Sequence, residues 1–388
     1  MDWLLWIYFA ATGIVWILFY FKASRLTRML PAIQNDQQHP DSRLPKLSVI
    51  ITAKDEATTI EHALQTILNT DYPDFEIIIV NDRSTDETGN IIDQFAETHP
   101  RIVPIHIKSL PADWIGKVHA LHTATAKASG EWLLFTDADV HHHPTLWRRA
   151  VQLCRTRGYD HLALLPDVPT PGRLLQTCVK AFGLMFLATA KVEHIEDPKH
   201  KAAIGIGAFN LVNHEAFNET PGFEWLRMEV ADDYGIGIMM KKWGKKISFA
   251  TAYNELQVDW YPDLPSMIKG LEKNIMAPGT RFETMRLLIS PILFAAIILA
   301  PFISLLIWTD YYPLTAISVF LFIGITSFWI PINRPNDQAN WLLTPLGYLI
   351  ILYTFTRACL LCLVRNGIIW RGTFYPRTLL RKYQRVKL

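Results

Sequence analysis

Glu131-Trp-Leu-Leu-Phe-Thr-Asp-Ala-Asp-Val140 is the stretch on which the reading of this chain turns. Trp132 to Phe135 is an apolar run of strand length, and it ends at two carboxylates, Asp137 and Asp139, separated by one small residue, Ala138. Side chains two apart on an extended segment point the same way, so both acids can face one ligand, with Ala138 leaving room for it. Such a pair suits a hard divalent cation held by one or two carboxylates and shared with a substrate's phosphates, the usual manner of Mg²⁺ binding. A solvated turn after a strand is the plain alternative, and the flanking sequence has to decide.

Upstream, short apolar runs rich in β-branched residues alternate with amphipathic stretches, which is the pattern of an α/β domain built on a largely parallel sheet. Strands are expected at Leu47 to Thr52, Phe75 to Val80 and Arg101 to Ile107, with helices to about Asn69, from about Thr85 to Thr98, and from Val118 to Ala128. In such sheets ligands bind beyond the carboxyl ends of the strands. The first strand ends in Thr52-Ala-Lys-Asp-Glu56 and the second in Val80-Asn-Asp82-Arg-Ser-Thr-Asp86, so acids converge from three strands. Ser84, with Glu87 three residues on, also reads as a helix start, whereas Asp82 has no such explanation. No G-x-G-x-x-G follows the first strand and no G-x-x-x-x-G-K-[ST] occurs, which disfavours dinucleotide and P-loop folds.

These elements together resemble the donor half of a family 2 glycosyltransferase of the GT-A fold. The resemblance rests on Ala53-Lys-Asp-Glu56, Val80-Asn-Asp82-Arg-Ser84-Thr-Asp86, Gly116-Lys117 and Asp137-Ala-Asp139, in family order and at family spacing. It implies a donor site for a UDP- or GDP-sugar formed by Thr52, Ala53, Glu56, Val80, Asp82, Lys117, Asp137 and Ala138, with Mg²⁺ or Mn²⁺ on Asp139 and Asp137. Thr52 stands where many members carry proline.

Downstream, His141-His142-His143 invites a metal reading, but a tandem run points its imidazoles in different directions, and a solvated loop before a helix near Pro144 is expected. Arg173 to Lys191 is amphipathic at helical period, and fits either a helix packed on the sheet or one lying in a membrane interface beside a lipid acceptor. Ile204 to Val212 reads as a strand in which Gly205 and Gly207 allow close backbone approach. Asp232 and Asp233 open the helix that ends near Gly244, where Asp232 also reads as a cap. Sugar transfer to a hydroxyl needs a carboxylate base. The likeness of this segment to the family's E/D-D-x-x-L element implies Asp233 for that role, with Asp232 as the neighbouring candidate. Q-x-x-R-W, carried by processive polysaccharide synthases, is absent. Trp260-Tyr-Pro, Leu271-Glu-Lys-Asn274 and Trp370-Arg-Gly-Thr-Phe-Tyr375 resemble elements of ceramide glucosyltransferases and of bacterial membrane glycosyltransferases acting on hopanoid or carotenoid-type lipids. That likeness implies a single sugar moved with inversion to a lipid hydroxyl, with Lys273 at the diphosphate. A processive synthase and a non-catalytic nucleotide-binding scaffold are the rivals.

The composition, half hydrophobic over 388 residues, places part of the chain in lipid, and a net charge of +2 gives no sign of a nucleic-acid partner. Trp3 to Phe21 reads as an uncharged anchor followed by Lys22, Arg25 and Arg28, with no basic region ahead of it as a cleaved signal would have. The expected organisation is an anchor over 1–30, a polar linker over 31–46, a GT-A domain over 47–280 (donor half 47–140, acceptor half 141–280), and membrane helices with a basic tail over 281–388. Further apolar runs cover Leu287 to Trp308, Tyr311 to Ile332, and Trp341 to Val364, the last interrupted by Arg357. Cys359 and Cys362 read as apolar filler of that last run, without disulfides or zinc. Basic residues beyond the anchor and in the tail orient the catalytic domain to the cytoplasmic side of the cell membrane. Three full C-terminal crossings would put the tail outside, so one segment, best the Arg357-bearing one, is expected to be re-entrant or interfacial. Topology reporters fused after Gly89 and after Leu388 are expected to report the same, cytoplasmic side; an external tail would overturn this arrangement.

Overall fold

The computed structural model describes residues 2–35, 43–306 and 343–387. After a long helix α1 (Asp2–Met29), the strands β1 (Leu47–Ala53), β2 (Phe75–Asp82), β3 (Ile102–Ile107) and β4 (Trp132–Asp137) alternate with α2 (Ile60–Leu68), α3 (Thr88–Thr98) and α4 (Gly116–Thr125). A short β5 (Val140–His142), α5 (Leu146–Arg157), β6 (His161–Leu165) and α6 (Arg173–Ala190) follow. Then come β7 (Asn210–Asn213), α7 (His214–Asn218), α8 (Gly222–Leu226), α9 (Asp232–Lys242), β8 (Ile247–Thr251) and β9 (Leu256–Val258). The rest comprises α10 (Leu264–Thr280), α11 (Thr284–Leu306), α12 (Thr344–Arg365), a hairpin of β10 (Gly367–Trp370) and β11 (Thr373–Pro376), and α13 (Arg377–Tyr383).

Seven strands form one sheet in the order β3-β2-β1-β4-β7-β6-β8, with β7 antiparallel to both neighbours and the other pairs parallel. Because residues alternate sides along a strand, the strand interiors supply two cores. Ile50, Ile78, Val80, Leu133 and Phe135 pack with Val118, Leu121 and Ala124 of α4 on one face. Val49, Ile51, Ile77, Ile79 and Leu134 pack with Ile60, Leu64 and Ile67 of α2 and with Trp147 of α5 on the other. Each such buried aliphatic side chain contributes roughly 1.5–3 kcal/mol. Both faces being covered explains why β1, β2 and β4 read as continuous apolar runs. The chain runs from β1 outward through β2 to β3 and returns on the other side of β1 as β4. That reversal opens a crevice at the carboxyl ends of β1 and β4, where Thr52 lies beside Asp137.

A third core joins the long apolar helices. Trp16 of α1, Cys178 and Leu184 of α6, Leu271 of α10, Ile298 of α11 and Tyr348 of α12 pack together. The amphipathic stretch at 173–191 is thus a helix, α6, buried against the other long helices. By length and composition α1, α6 and α12 can each cross a membrane, and α10 with α11 forms an apolar pair bent by 105°.

Several expectations change. The Arg357-bearing segment is one continuous helix, α12, and Arg357 does not interrupt it because Glu272 of α10 accepts from both Arg357 and Arg365 at 2.8 Å. Among the described residues a bend of 105° separates α10 from α11. Helix α3 begins at Thr88, not near Thr85, and Ser84 does not cap it: its hydroxyl accepts from the Asp55 amide (3.0 Å), while Asp86 accepts from the Thr88 amide (3.0 Å). The histidine run is not a solvated loop. β5 pairs with β9, and His142 is buried, 3.1 Å from both Thr136 Oγ1 and the indole nitrogen of Trp147. Burial holds His142 near 3, and so neutral. The strand expected over 204–212 is shorter and begins only at Asn210, as β7 (Asn210–Asn213), since the residues before it approach the carboxylates described below. All four cysteines are buried and free. The expected run Tyr311 to Ile332 lies outside the described residues, as do 36–42 of the expected linker.

Candidate active site

One cavity of about 1060 Å³ opens at the crevice between β1 and β4. Thr52, Ala53, Glu56, Asp82, Lys117, Asp137, Ala138, Asp139, Asp232, Asp233 and Lys273 all line it. Val80 is the exception among the expected residues: its side chain faces inward from β2 and is buried in the core.

The strand ends alone would crowd carboxylates together, and cations hold them apart. Lys117, in the first turn of α4, places its ammonium 2.6 Å from Asp137 Oδ1 and 3.4 Å from Asp232 Oδ2. A positive charge at a helix N-terminus opposes the helix dipole, and loss of solvent also works against it. The carboxylates of Asp137, Asp232 and Asp233 outweigh both and hold Lys117 protonated, above the usual lysine range. Gly116-Lys117 therefore opens a helix rather than preceding one. Asp82 is buried, and both its oxygens accept from Arg83, at 2.7 and 3.0 Å.

Among the described residues Asp139 has no ion-pair partner. Loss of solvent, then the charges of Asp137 and Glu56, push its carboxyl up to about 7. A group of acids that raises a member's affinity for a proton is equally suited to a divalent cation. Among the described residues no three His, Cys, Asp or Glu side chains are arranged to hold a metal by themselves. Asp137 and Asp139 therefore fit an ion that takes its remaining oxygens from a diphosphate and water. His142, neutral and fully engaged inside the core, is not available to it.

On the opposite wall, Asp233 Oδ2 accepts from the Gly207 amide (2.9 Å) and Oδ1 from the Tyr234 amide (2.8 Å). Burial and the neighbouring Asp232 push its carboxyl up to about 6. Asp232 is tied to Lys117, so the adjacent acids have different surroundings: one ion-paired, the other held by backbone amides. The Gly205 to Gly207 loop makes this possible. A Cβ on Gly205 would collide with the Asp233 carbonyl, and one on Gly207 would lie 2.5 Å from Asp137 Oδ2.

The C-terminal hairpin, whose Trp370-Arg-Gly-Thr-Phe-Tyr375 stretch the family resemblance places near an acceptor entrance, lies against the Glu56 and Gly116 side of the cavity. Arg371 at its turn donates to the carboxylate of Glu56 and to the Lys54 carbonyl (2.9 Å). The Gly116 amide donates to the Tyr375 hydroxyl (3.2 Å), and the Lys273 ammonium lies 3.4 Å from the centre of the Trp370 ring. Glu229, just before the paired aspartates, is buried and accepts from the amides of Arg385 (2.6 Å) and Val386 (2.9 Å), anchoring the tail beneath the site. A separation of 317 positions between Lys54 and Arg371 hides this convergence from any local motif.

A mostly parallel sheet with this switch point and this acid-lined crevice is the GT-A class of sugar transferases. Residues 48–232 match the sequence model described as Glycosyl transferase family 2. A poly-beta-1,6-N-acetyl-D-glucosamine synthase of Staphylococcus epidermidis is 30% identical over 133 residues, 33% of this chain and 30% of that protein. A 4,4'-diaponeurosporenoate glycosyltransferase of Staphylococcus aureus is 23% identical over 247 residues, 60% of this chain and 64% of that protein. The chain thus spans less than two thirds of either relative. Among solved structures, the mannosyltransferase PcManGT from Pyrobaculum calidifontis, in complex with GDP-Man and Mn²⁺, shares the fold, with a TM-score of 0.56 at 18% identity over 89% of this chain and 97% of that one.

Replacing Gly207 by Ala inserts a methyl group between Asp137 and Asp233. Mn²⁺-dependent binding of UDP or GDP by this variant is expected to weaken at least about tenfold while the thermal unfolding midpoint stays close to that of the parent, measured by equilibrium dialysis and differential scanning fluorimetry.

Proposed function

We propose that the protein is a membrane-associated, metal-dependent, inverting glycosyltransferase that moves one sugar from a UDP- or GDP-sugar to a hydroxyl of a lipid. The observation that carries this reading is the make-up of the cavity at the crevice between β1 and β4. Its donor end carries Glu56, Asp82, Asp137 and Asp139, whereas Val179, Phe182 and Phe186 of α6, with Trp260 and Tyr261, form an apolar wall beside Asp233. That wall belongs to a helix apolar and long enough to cross a membrane. A lipid held there brings its hydroxyl to the carboxylate wall without leaving the apolar phase.

In this reading Asp82 and Glu56 take the nucleoside, and Lys117 and Lys273 lie where a diphosphate would need cations. A divalent ion on Asp139 and Asp137, when bound, supplies charge neutralisation for the departing nucleoside diphosphate. Asp233 takes the acceptor proton as the hydroxyl attacks the anomeric carbon from the face opposite the leaving group. Its two backbone hydrogen bonds fix the carboxylate, and its raised proton affinity suits it to hold that proton. Asp232, paired to Lys117, maintains the geometry between the two walls.

The organisation proposed for the chain is a GT-A domain over 47–280 between membrane-associated parts, its catalytic face toward the cytoplasm. The match to a polysaccharide synthase supports a second reading, in which the product is a polymer. The lengths of products formed from a radiolabelled donor separate the two.

Asp139→Asn is expected to abolish metal-dependent donor binding or turnover, as read by isothermal titration with Mn²⁺ and by product formation; unchanged activity removes Asp139 from the site. Asp233→Asn is expected to bind donor normally and to lose turnover by on the order of 10²–10⁴-fold. In the parent, turnover should fall as pH drops through about 6, because Asp233 then gains its proton and can no longer accept one. Full activity of Asp233→Asn would transfer the base role to Asp232.

A further inference from the structure

The C-terminal hairpin has two unlike faces. Ile368 and Tyr375, directly paired across its strands, are buried against the domain. The next pair, Ile369 and Phe374, is 52% and 49% exposed. Arg371 and Gly372 form the two-residue turn, both with positive φ (46° and 74°), the left-handed geometry that such tight hairpins require. The hairpin follows α12 after only Asn366, so its position is coupled to that helix.

The exposed pair is not an isolated patch. Leu360 and Val364, on the last turns of α12, are 53% and 83% exposed, and Met285 and Leu288 at the start of α11 are exposed as well. An apolar surface therefore spans the ends of α11 and α12 and the outer face of the hairpin. Arg377, 3.0 Å from Thr284 Oγ1 at the start of α11, lies between these elements, and basic residues are common where an apolar element meets lipid headgroups. Continuity with α12, a helix of membrane-crossing length and composition, selects a bilayer as the occupant of this surface rather than another protein.

We propose that the β10–β11 hairpin is a membrane-docking element, inserting Ile369 and Phe374 into the bilayer interface and thereby holding Arg371 and Tyr375 over the donor cavity. Docking is transmitted to the site by contacts already described: Arg371 to Glu56 and the Lys54 carbonyl, and the Gly116 amide to Tyr375. An undocked hairpin loses its outer support and with it one wall of the donor pocket, so nucleotide affinity depends on the bilayer. This rests on the reading of α12 as a membrane helix and of the cavity as a nucleotide site, and the test separates these layers.

The full-length protein, carrying Phe374→Cys or Leu360→Cys labelled with an environment-sensitive fluorophore, is placed in phosphatidylcholine–phosphatidylglycerol nanodiscs. The native cysteines are buried and compete little for the label. Blue-shifted emission at both positions, quenched by lipid-borne nitroxides, is the expected result. A water-like signal at 374 with a lipid-like signal at 360 overturns the docking while leaving the membrane reading of α12 intact; water-like signals at both overturn the two together. In parallel, Phe374→Ser, at a position outside the cavity lining, is expected to raise the concentration of UDP or GDP, with Mn²⁺, needed for half-saturation in nanodiscs by roughly fivefold, without changing it in detergent. Unchanged binding in nanodiscs overturns the coupling, and absence of nucleotide binding by the parent protein overturns the nucleotide reading itself.

Discussion

The site is organised around the ammonium of Lys117. At the mouth of the crevice, Asp137, Asp139, Asp232 and Asp233 come from two distant parts of the chain and meet in a space shielded from water. Unit charges about 4 Å apart interact by about 4 kcal/mol at the effective dielectric of a protein surface. Four acids converging without compensation would therefore drive the walls apart or hold protons. Lys117 bridges the end of β4 and the start of α9, so it fixes the width of the cavity as well as its charge. Among the described residues Lys117 pairs with neither Asp139 nor Asp233, and the proposed chemistry uses Asp139, with Asp137, for a metal and Asp233 for a proton.

That bridge functions only because the backbone on either side can approach. The loop containing Gly205 and Gly207 runs between Asp137 and Asp233 with no room for a side chain. The amide of Gly207 becomes a ligand of Asp233 in consequence. Below it, Glu229 receives the amides of the C-terminal tail, and Tyr375 takes the first amide of α4. The C-terminal part of the chain and the middle of the domain are thus joined at one place, and the helices of the apolar layer are coupled to it through Glu272, which pairs with two arginines at once. An arginine inside an apolar helix is costly in isolation; here it is part of the attachment of α12 to α10.

The site and the apolar layer share one cavity, and in the function proposed above this is the physical basis for a transferase that works where water and lipid meet. The donor end is lined with acids and the cations that balance them. The far wall is made of α6 side chains and two stacked aromatics, Trp260 and Tyr261, whose ring centres are 4.7 Å apart. A charged sugar nucleotide and an apolar acceptor have opposite demands on solvent, and the cavity meets each with a different element of the fold.

Alternation of apolar and polar residues is a local property, so the α/β class, the order of the first four strands and the acids at their ends could be read directly from the sequence. The Asp-x-Asp pair, Asp82, Glu56 and the paired aspartates of α9 were legible for the same reason, since each sits at a strand end or helix start. Val80 was not excluded by its motif, because which face of a buried strand a residue takes depends on register with its neighbours. Arg357 looked like an interruption because its partner, Glu272, is 85 residues away. His142 looked solvent-bound because the strand that covers it, β9, comes more than 110 residues later. Which of Asp232 and Asp233 is neutralised, and that Arg371 reaches Glu56, follow from charges brought together by folding. The sequence by itself determined the kinds of elements and the chemical groups they carry; tertiary structure alone decided which groups are paired, because an ion pair or a buried contact depends on distance in space and not on separation along the chain.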